Sequence, residues 1–272
     1  MKILILGGKG FFGTSIMAQA LLKNITVYGT SRTISNSINI IKTDVSNKTS
    51  LLSLLDKSVP EVIIWALMSD KNEIELVNNG LLNLLSLIKK RNQADLYVHR
   101  CNFTGGTGNY VETDKTGLLP SEAPLANYVN GKNIGENLIK NTHKNHMIIR
   151  TGPIYGNSLN IEKRTVRIIQ KIKRKESVKA PTNLYRCFVH VEDLSKAILE
   201  LIAKDFLGTI HLGPSKKVSY HTFYKQRLKQ LGIKASISAC KIDSKENPYI
   251  SLDTSLNTQK ANLILKTSFR EI

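Results

Sequence analysis

The sequence predicts an α/β protein: a doubly wound parallel sheet covered by helices, followed by a smaller C-terminal α/β lobe. Three observations predict it. Over the first 150 residues, short β-branched runs alternate with amphipathic segments, the rhythm of parallel strands joined by helical crossovers. The strand candidates are continuous apolar runs, as strands buried on both faces are. After Arg150 the rhythm changes, which sets residues 1–152 apart as the main domain and 153–272 as the second lobe, packed on the first and partly interleaved with it.

In chain order, the strand candidates of the first half are Lys2–Leu6, Ile25–Gly29, Ile38–Ile41, Val62–Ala66, Leu96–Arg100 and Met147–Arg150. Helix candidates fall between them at Phe12–Lys23, Thr49–Leu55, Ile74–Arg91 and Tyr128–Lys144. The second half offers a helix at Glu162–Lys175, a short strand near Phe188, a helix at Glu192–Lys204, a strand at Thr209–Leu212 and a helix at Tyr220–Leu231. From Ala235 onward the chain is polar and reads as irregular. With no low-complexity linker between the parts, a cleft between the lobes is the expected ligand site.

Composition narrows the function classes. The 272 residues are 41% hydrophobic, enough to bury an ordinary core. Cys101, Cys187 and Cys240 are odd in number, far apart and without CxxC spacing, which predicts neither a disulfide framework nor a zinc site and favours a reducing, cytoplasmic setting. The apolar run Ile3–Leu6 is too short for a signal-peptide core, and no run approaches the roughly 20 apolar residues of a membrane span, so membrane insertion is not expected. The net charge of +18 is spread along the chain. Of a solvated lysine-rich exterior around a site for anionic substrates, a membrane surface and nucleic-acid binding, it reads first as the solvated exterior, with nucleic acid ranked last.

Gly7, Gly10 and Gly13 follow the first strand and open the first helix. Such glycines allow a tight turn, let backbone approach a pyrophosphate and bring helix against strand, with the helix N-terminus facing the anion. At the end of the second strand, where an acid would hold the ribose hydroxyls of NAD, the sequence reads Tyr28-Gly29-Thr30-Ser31-Arg32. Ser31 and Arg32 suit a 2′-phosphate, so NADPH is favoured over NADH. Asp44 either faces the adenine edge or caps the turn after the third strand.

Tyr128 and Lys132 stand four apart on a helix candidate and so share one face. An ammonium beside a phenol lowers its pKa and lets it exchange a proton with a carbonyl or hydroxyl near neutral pH. His143 and His146 lie at the end of that helix and read as cations favoured at a C-terminus rather than as metal ligands. No metal site is expected. His190 reads as a packed residue.

Together these segments resemble the extended short-chain dehydrogenase/reductase family, the NAD-dependent epimerase/dehydratase superfamily, and within it most closely the dTDP-4-dehydrorhamnose reductase branch. The resemblance spans nearly the whole chain. It rests on Gly7-Gly8-Lys9-Gly10-Phe11-Phe12-Gly13, Val77-Asn78-Asn79-Gly80, Tyr128-Val129-Asn130-Gly131-Lys132 and Ile149-Arg150-Thr151-Gly152-Pro153-Ile154-Tyr155-Gly156. Phe188-Val189-His190-Val191-Glu192-Asp193-Leu194 and Ser251-Leu252-Asp253-Thr254-Ser255 extend it. It implies a Rossmann domain that binds NADP(H), a nucleotide-diphosphate sugar as substrate, and a homodimer as the candidate assembly. It implies Tyr128 and Lys132 as the catalytic pair, cofactor contacts at Phe11, Phe12, Ala66 and Thr151 beside those above, and substrate contacts at Tyr155, Arg167 and Lys171. Where the family carries a Ser or Thr that binds the substrate carbonyl, this chain reads His99-Arg100-Cys101. Arg100, or Thr104 or Thr107 on the following loop, is the expected replacement donor.

The function these readings imply is NADPH-dependent reduction of the 4-keto group of a nucleotide-linked deoxysugar. The alternatives are a nucleotide-sugar 4-epimerase or dehydratase, and a non-catalytic NADP-binding subunit.

Overall fold

A computed structural model describes residues 1–34, 37–69, 71–89, 94–100 and 106–272. Its centre is a seven-stranded sheet in the order β11-β6-β5-β4-β1-β2-β3. The strands are β1 (Lys2–Leu6), β2 (Thr26–Ser31), β3 (Ile40–Lys42), β4 (Val62–Trp65), β5 (Ala94–Arg100), β6 (His146–Thr151) and β11 (Gly208–Leu212). β1 runs parallel to β2 on one side, pairing Lys2 with Thr26, and parallel to β4 on the other, pairing Ile3 with Val62. The chain therefore reverses its direction of winding between β1 and β4, the position where open α/β sheets bind ligands beyond the carboxyl ends of their strands.

Continuous apolar strands are needed because both faces are covered: Ile3, Leu4, Ile5 and Leu6 are all fully buried. Helix α1 (Phe11–Leu22) buries Phe12, Gly13, Ile16, Met17 and Ala20, the stripe expected of a 3.6-residue period. Helix α2 (Lys48–Ser58) starts where Asn47 Oδ1 accepts the Ser50 N–H at 2.9 Å and ends at Val59 in the left-handed region. Leu51, Leu54 and Leu55 from this helix join Leu4, Leu6, Trp65 and Leu85 in one core cluster.

The next helix is composite. α3 (Glu73–Glu75) continues through a π-helical stretch, Leu76–Leu81, into α4 (Leu82–Ile88). Helix α5 (Ala126–Thr142) leads into β6, and Glu136 on α5 clamps Arg150 on β6 through Oε1–Nη2 at 2.5 Å and Nε–Oε2 at 3.2 Å. Lys140 adds a third contact to the same carboxylate at 2.6 Å.

The chain divides into two compact units. One holds 1–100, Gly117–Arg150 and Ser195–Ile210; the other holds the described residues 106–116, Thr151–Leu194 and His211–Ile272. In the second unit, β7 (Ile154–Tyr155) pairs with β10 (Val189–His190), β9 (Tyr185–Arg186) with β12 (Val218–Ser219), and β8 (Lys179–Pro181) with β13 (Ser238–Cys240). Ile168, Ile169 and Ile172 of α6 (Lys163–Lys173) pack with Val178, Ala180, Ile237 and Leu228, the last from α8 (Tyr220–Gln230). Arg227 of α8 meets Glu162, at the start of α6, at 3.3 Å. Helix α7 (Val191–Ala203) carries Asp193, which receives the guanidinium of Arg270 at 2.6 Å.

Two expectations are corrected. The third strand starts at Ile40, because Ile40 N–H closes a turn onto the Ser37 carbonyl and leaves Ile38 94% exposed. The segment after Ala235 is not irregular throughout. It forms β13 and α9 (Gln259–Ile264), anchored by the buried Ile237, Leu256 and Ala261. No helix among the described residues is long and apolar enough to cross a membrane.

Candidate active site

The glycine turn takes the shape its spacing demands. Gly7 has φ +97°, a left-handed conformation that L side chains rarely adopt. A Cβ on Gly13 would run into the Gly7 carbonyl oxygen, so α1 approaches β1 as closely as it does only because residue 13 has none. Gly10 caps α1 and gives its N–H to the Gly7 carbonyl at 2.9 Å, while the Gly7 N–H is held by Thr30 Oγ1 at 3.1 Å. Phe12 is buried beside Gly13, and Phe11 is half-buried. The result is a backbone cradle at a helix N-terminus, the geometry that receives a pyrophosphate.

Ser31 ends β2, and its Oγ lies 3.1 Å from Thr33 Oγ1 and accepts the Thr33 N–H at 3.2 Å. Arg32 is exposed beside it. Asp44 Oδ1 accepts both the Ser46 hydroxyl (2.7 Å) and the Ser46 N–H (3.0 Å). Those bonds, with a smaller contribution from the Arg32 charge, hold the carboxyl below the usual aspartate value. The cap of α2 is Asn47.

Tyr128 and Lys132 sit on α5 as their spacing requires, with the Lys132 Nζ 5.8 Å from the Tyr128 ring centre. Leu125, just before the helix, is held at φ 69°, a costly conformation for a branched residue. Asn130, on the turn between the pair, exchanges hydrogen bonds with both the N–H and the carbonyl of Leu119, at 2.8 and 2.7 Å, tying residues 117–123 to the helix. Tyr128 packs against the small cluster of Leu119, Ala123, Ala126 and Val129.

Lys132 is only 2% exposed. Its ammonium donates to the Leu67 carbonyl at 3.2 Å and pairs with Glu73 Oε1 at 2.8 Å. Leu67 in turn abuts the glycine turn: its Cδ2 lies 3.1 Å, and the Ala66 oxygen 3.2 Å, from where a Gly7 Cβ would stand. The glycine turn, Ala66 and the tyrosine–lysine pair are thus gathered around the residues that follow β4. Glu73 escapes sequence reasoning. An acid in the first turn of a helix is ordinary, and no local spacing rule links it to a lysine 59 positions away.

The remaining expected residues fall elsewhere. Thr104 and the side chain of Arg100 lie outside the described residues. Thr107 donates its backbone N–H to the Tyr110 hydroxyl at 3.2 Å. In the second unit the buried Thr151 hydroxyl has no partner among the described residues. Tyr155 is 1% exposed. Its ring lies edge-on to His190 (5.1 Å) and Phe223 (5.9 Å), under the Arg227 guanidinium, and burial pushes its phenol up to about 12. That packing gives Tyr155 a core role and leaves its ring no open surface for a substrate. His190 is likewise buried; desolvation pushes its ring below the ordinary histidine value, and Nδ1 accepts the Glu192 N–H at 3.3 Å. Arg167 and Lys171 are exposed on α6, opposite the isoleucines that face the core.

Comparison with known proteins agrees with this geometry. A family model, described as the NAD dependent epimerase/dehydratase family, matches residues 3–211. A GDP-6-deoxy-D-talose 4-dehydrogenase from Aggregatibacter actinomycetemcomitans is 27% identical over 216 residues, covering 75% of this chain and 71% of that protein. Among solved structures, a hypothetical dTDP-4-dehydrorhamnose reductase from Sulfolobus tokodaii aligns with a TM-score of 0.79 at 23% identity, over 100% of this chain and 97% of its own. A dTDP-4-dehydrorhamnose reductase from Bacillus anthracis, in complex with NADP, aligns with a TM-score of 0.77 at 18% identity, over 96% and 91% of the two chains. These two share the fold. With the family model spanning most of the chain, and the glycine turn and tyrosine–lysine pair in place, this protein belongs to the NAD dependent epimerase/dehydratase family.

Proposed function

We propose that this protein reduces the 4-keto group of a nucleotide-linked deoxysugar with NADPH. One observation carries the reading: Lys132 of the Tyr-x-x-x-Lys pair binds the carbonyl of Leu67, the residue packed on the glycine turn. A dinucleotide held by that turn and a proton donor held by α5 would meet at the carboxyl end of β4. The cradle fits a pyrophosphate, since the absence of a side chain at Gly13 lets the N-terminus of α1 close onto the Gly7 turn.

Gly7, Gly10, Gly13, Phe11 and Phe12 would hold the dinucleotide at its phosphates, Ser31 and Arg32 at the 2′-phosphate, and Asp44, Ala66 and Thr151 along its length. Reduced nicotinamide, when bound, supplies the hydride. Tyr128 gives its phenolic proton to the carbonyl oxygen, which becomes the product hydroxyl. The Lys132 ammonium favours the phenolate left behind. Arg100 or Thr104 polarises the carbonyl, and Arg167 and Lys171 attract the diphosphate of the substrate. The 27%-identical relative, whose name describes dehydrogenation at position 4 of a GDP-linked 6-deoxysugar, supports chemistry at that carbon.

The test is NADPH and NADH titration by fluorescence, then NADPH oxidation on a panel of nucleotide-linked 4-keto-deoxysugars with the native protein and Tyr128→Phe. Turnover in the native protein and its loss, by at least about 100-fold, in the variant are expected. A fully active Tyr128→Phe overturns the assignment. His99-Arg100-Cys101 in place of a hydroxyl residue favours one rival, a non-catalytic NADP-binding subunit. Tight NADPH binding with no turnover on any substrate would select it, and tightly co-purifying NAD+ would select an epimerase or dehydratase.

A further inference from the structure

We infer that Glu73 is the positioning residue of the Tyr128–Lys132 pair, its carboxylate keeping the buried lysine charged and fixed in place. The inference deepens the reading of that pair given above and rests on it for its consequence in catalysis. Both partners are buried, Glu73 at 0% exposure and Lys132 at 2%, and Oε1 stands 2.8 Å from Nζ. The other carboxylate oxygen accepts the Ser69 N–H at 2.6 Å, so backbone sets the direction in which the acid points.

The fold invests several residues in this contact. Asn127, adjacent to Tyr128, accepts the N–H groups of Glu73 and Ile74 with its side-chain oxygen, at 2.7 and 3.3 Å, and so caps the helix that carries the acid. Gly131, four residues on, has no side chain, and a Cβ there would stand 2.7 Å from Glu73 Cγ. Asn127, Gly131 and Lys132 thus present one face of α5 to the start of the 73–88 helix. Its N-terminal turn also favours a carboxylate.

A buried ammonium without a counter-charge gives up its proton. Burial pushes Lys132 below the ordinary lysine value, and Glu73 opposes that fall. Glu73 from the neighbouring helix and the ring of Tyr128 from its own both face the Lys132 ammonium. With the carboxylate gone, Lys132 would lose its charge at lower pH, and with it the capacity to favour the Tyr128 phenolate.

The decisive measurement is the titration of the Lys132 ε-carbon by NMR in 13C-lysine-labelled full-length protein, with the signal assigned through Lys132→Arg. The native lysine should be charged at neutral pH. In Glu73→Gln its midpoint should fall by about one to three pH units, with Glu73→Asp recovering much of the loss. The alkaline limb of kcat/KM should move down in step, which a purely structural defect would not cause. An unmoved midpoint in Glu73→Gln overturns the inference. So does a native Lys132 already neutral at pH 7, a result that needs no variant to fold. A fully active Tyr128→Phe would defeat the proposed chemistry while leaving the Lys132 titration to judge Glu73.

Discussion

Alanine at position 131 sets two known effects against each other. In an α-helix, glycine to alanine is worth about 1 kcal/mol in favour of the variant. Here the added methyl would stand 2.7 Å from Glu73 Cγ and 2.8 Å from both Glu73 C and Ile74 N. Ordinary contacts between such atoms begin at about 3.5 Å, so something must retreat by roughly 0.7 Å. Two of the three atoms are backbone, at the capped start of the 73–88 helix, and no rotamer change moves them aside. Overpacking of this kind costs about 1–3 kcal/mol, and rigid neighbours put the cost in the upper part of that range. The balance is a loss of about 1–2 kcal/mol, or a fall in Tm of roughly 2–8 °C for a chain of this size. Thermal unfolding followed by circular dichroism reads it directly. A Gly131→Ala protein with a raised Tm would mean that helix propensity dominates and that the two helices do not meet as closely as described.

Further outcomes follow from the same geometry. Gly13→Ala should cost at least about 10-fold in NADPH affinity by fluorescence titration, since the new side chain meets the Gly7 carbonyl rather than open space; unchanged affinity would remove the cradle from the cofactor site. Glu136→Leu should destabilise by about 3 kcal/mol in urea unfolding, because it strips a buried counter-charge from Arg150, and a loss under 1 kcal/mol would show that the clamp contributes little. Although burial raises the Asp253 carboxyl, hydrogen bonds from Lys217 and Ser255 outweigh it and hold the group below its ordinary value. That contribution to stability is present above about pH 4 and is lost as pH falls through the folded-state value. Asp253→Asn should therefore flatten the decline in urea midpoint below pH 4, and an acid limb identical to the native protein's would refute the assignment.

The central sheet was legible in the sequence because parallel strands covered on both faces are written as apolar runs, and the helices between them as stripes of period 3.6. The same holds for the glycine turn and the Tyr128–Lys132 pair. Gly7, Gly10 and Gly13 act through the backbone of one short segment, and an i, i+4 pair lies on one face of any helix. The third strand was misplaced because Ile38 is apolar but spent on the surface, which no local pattern reveals. The regular elements after Ala235 went unread because they are short and anchored by isolated residues such as Ile237, Leu256 and Ala261.

What the sequence by itself determined was the set of local devices: the alternation of strands and helices, the glycine turn, the absence of an acid at the end of β2, and the tyrosine and lysine on one helical face. Only the tertiary structure decided what surrounds them. It set Glu73 against Lys132, Leu67 between that lysine and the glycine turn, and Tyr155 in an aromatic core rather than on a ligand surface. Each of these is a contact between segments distant in the chain: the first two follow from the winding order of the sheet and the close packing of α5 on the 73–88 helix, the third from the packing of His190 and Phe223 around Tyr155. Burial and charge partners, which set the protonation of a buried lysine, are properties of that packing and have no period in the sequence.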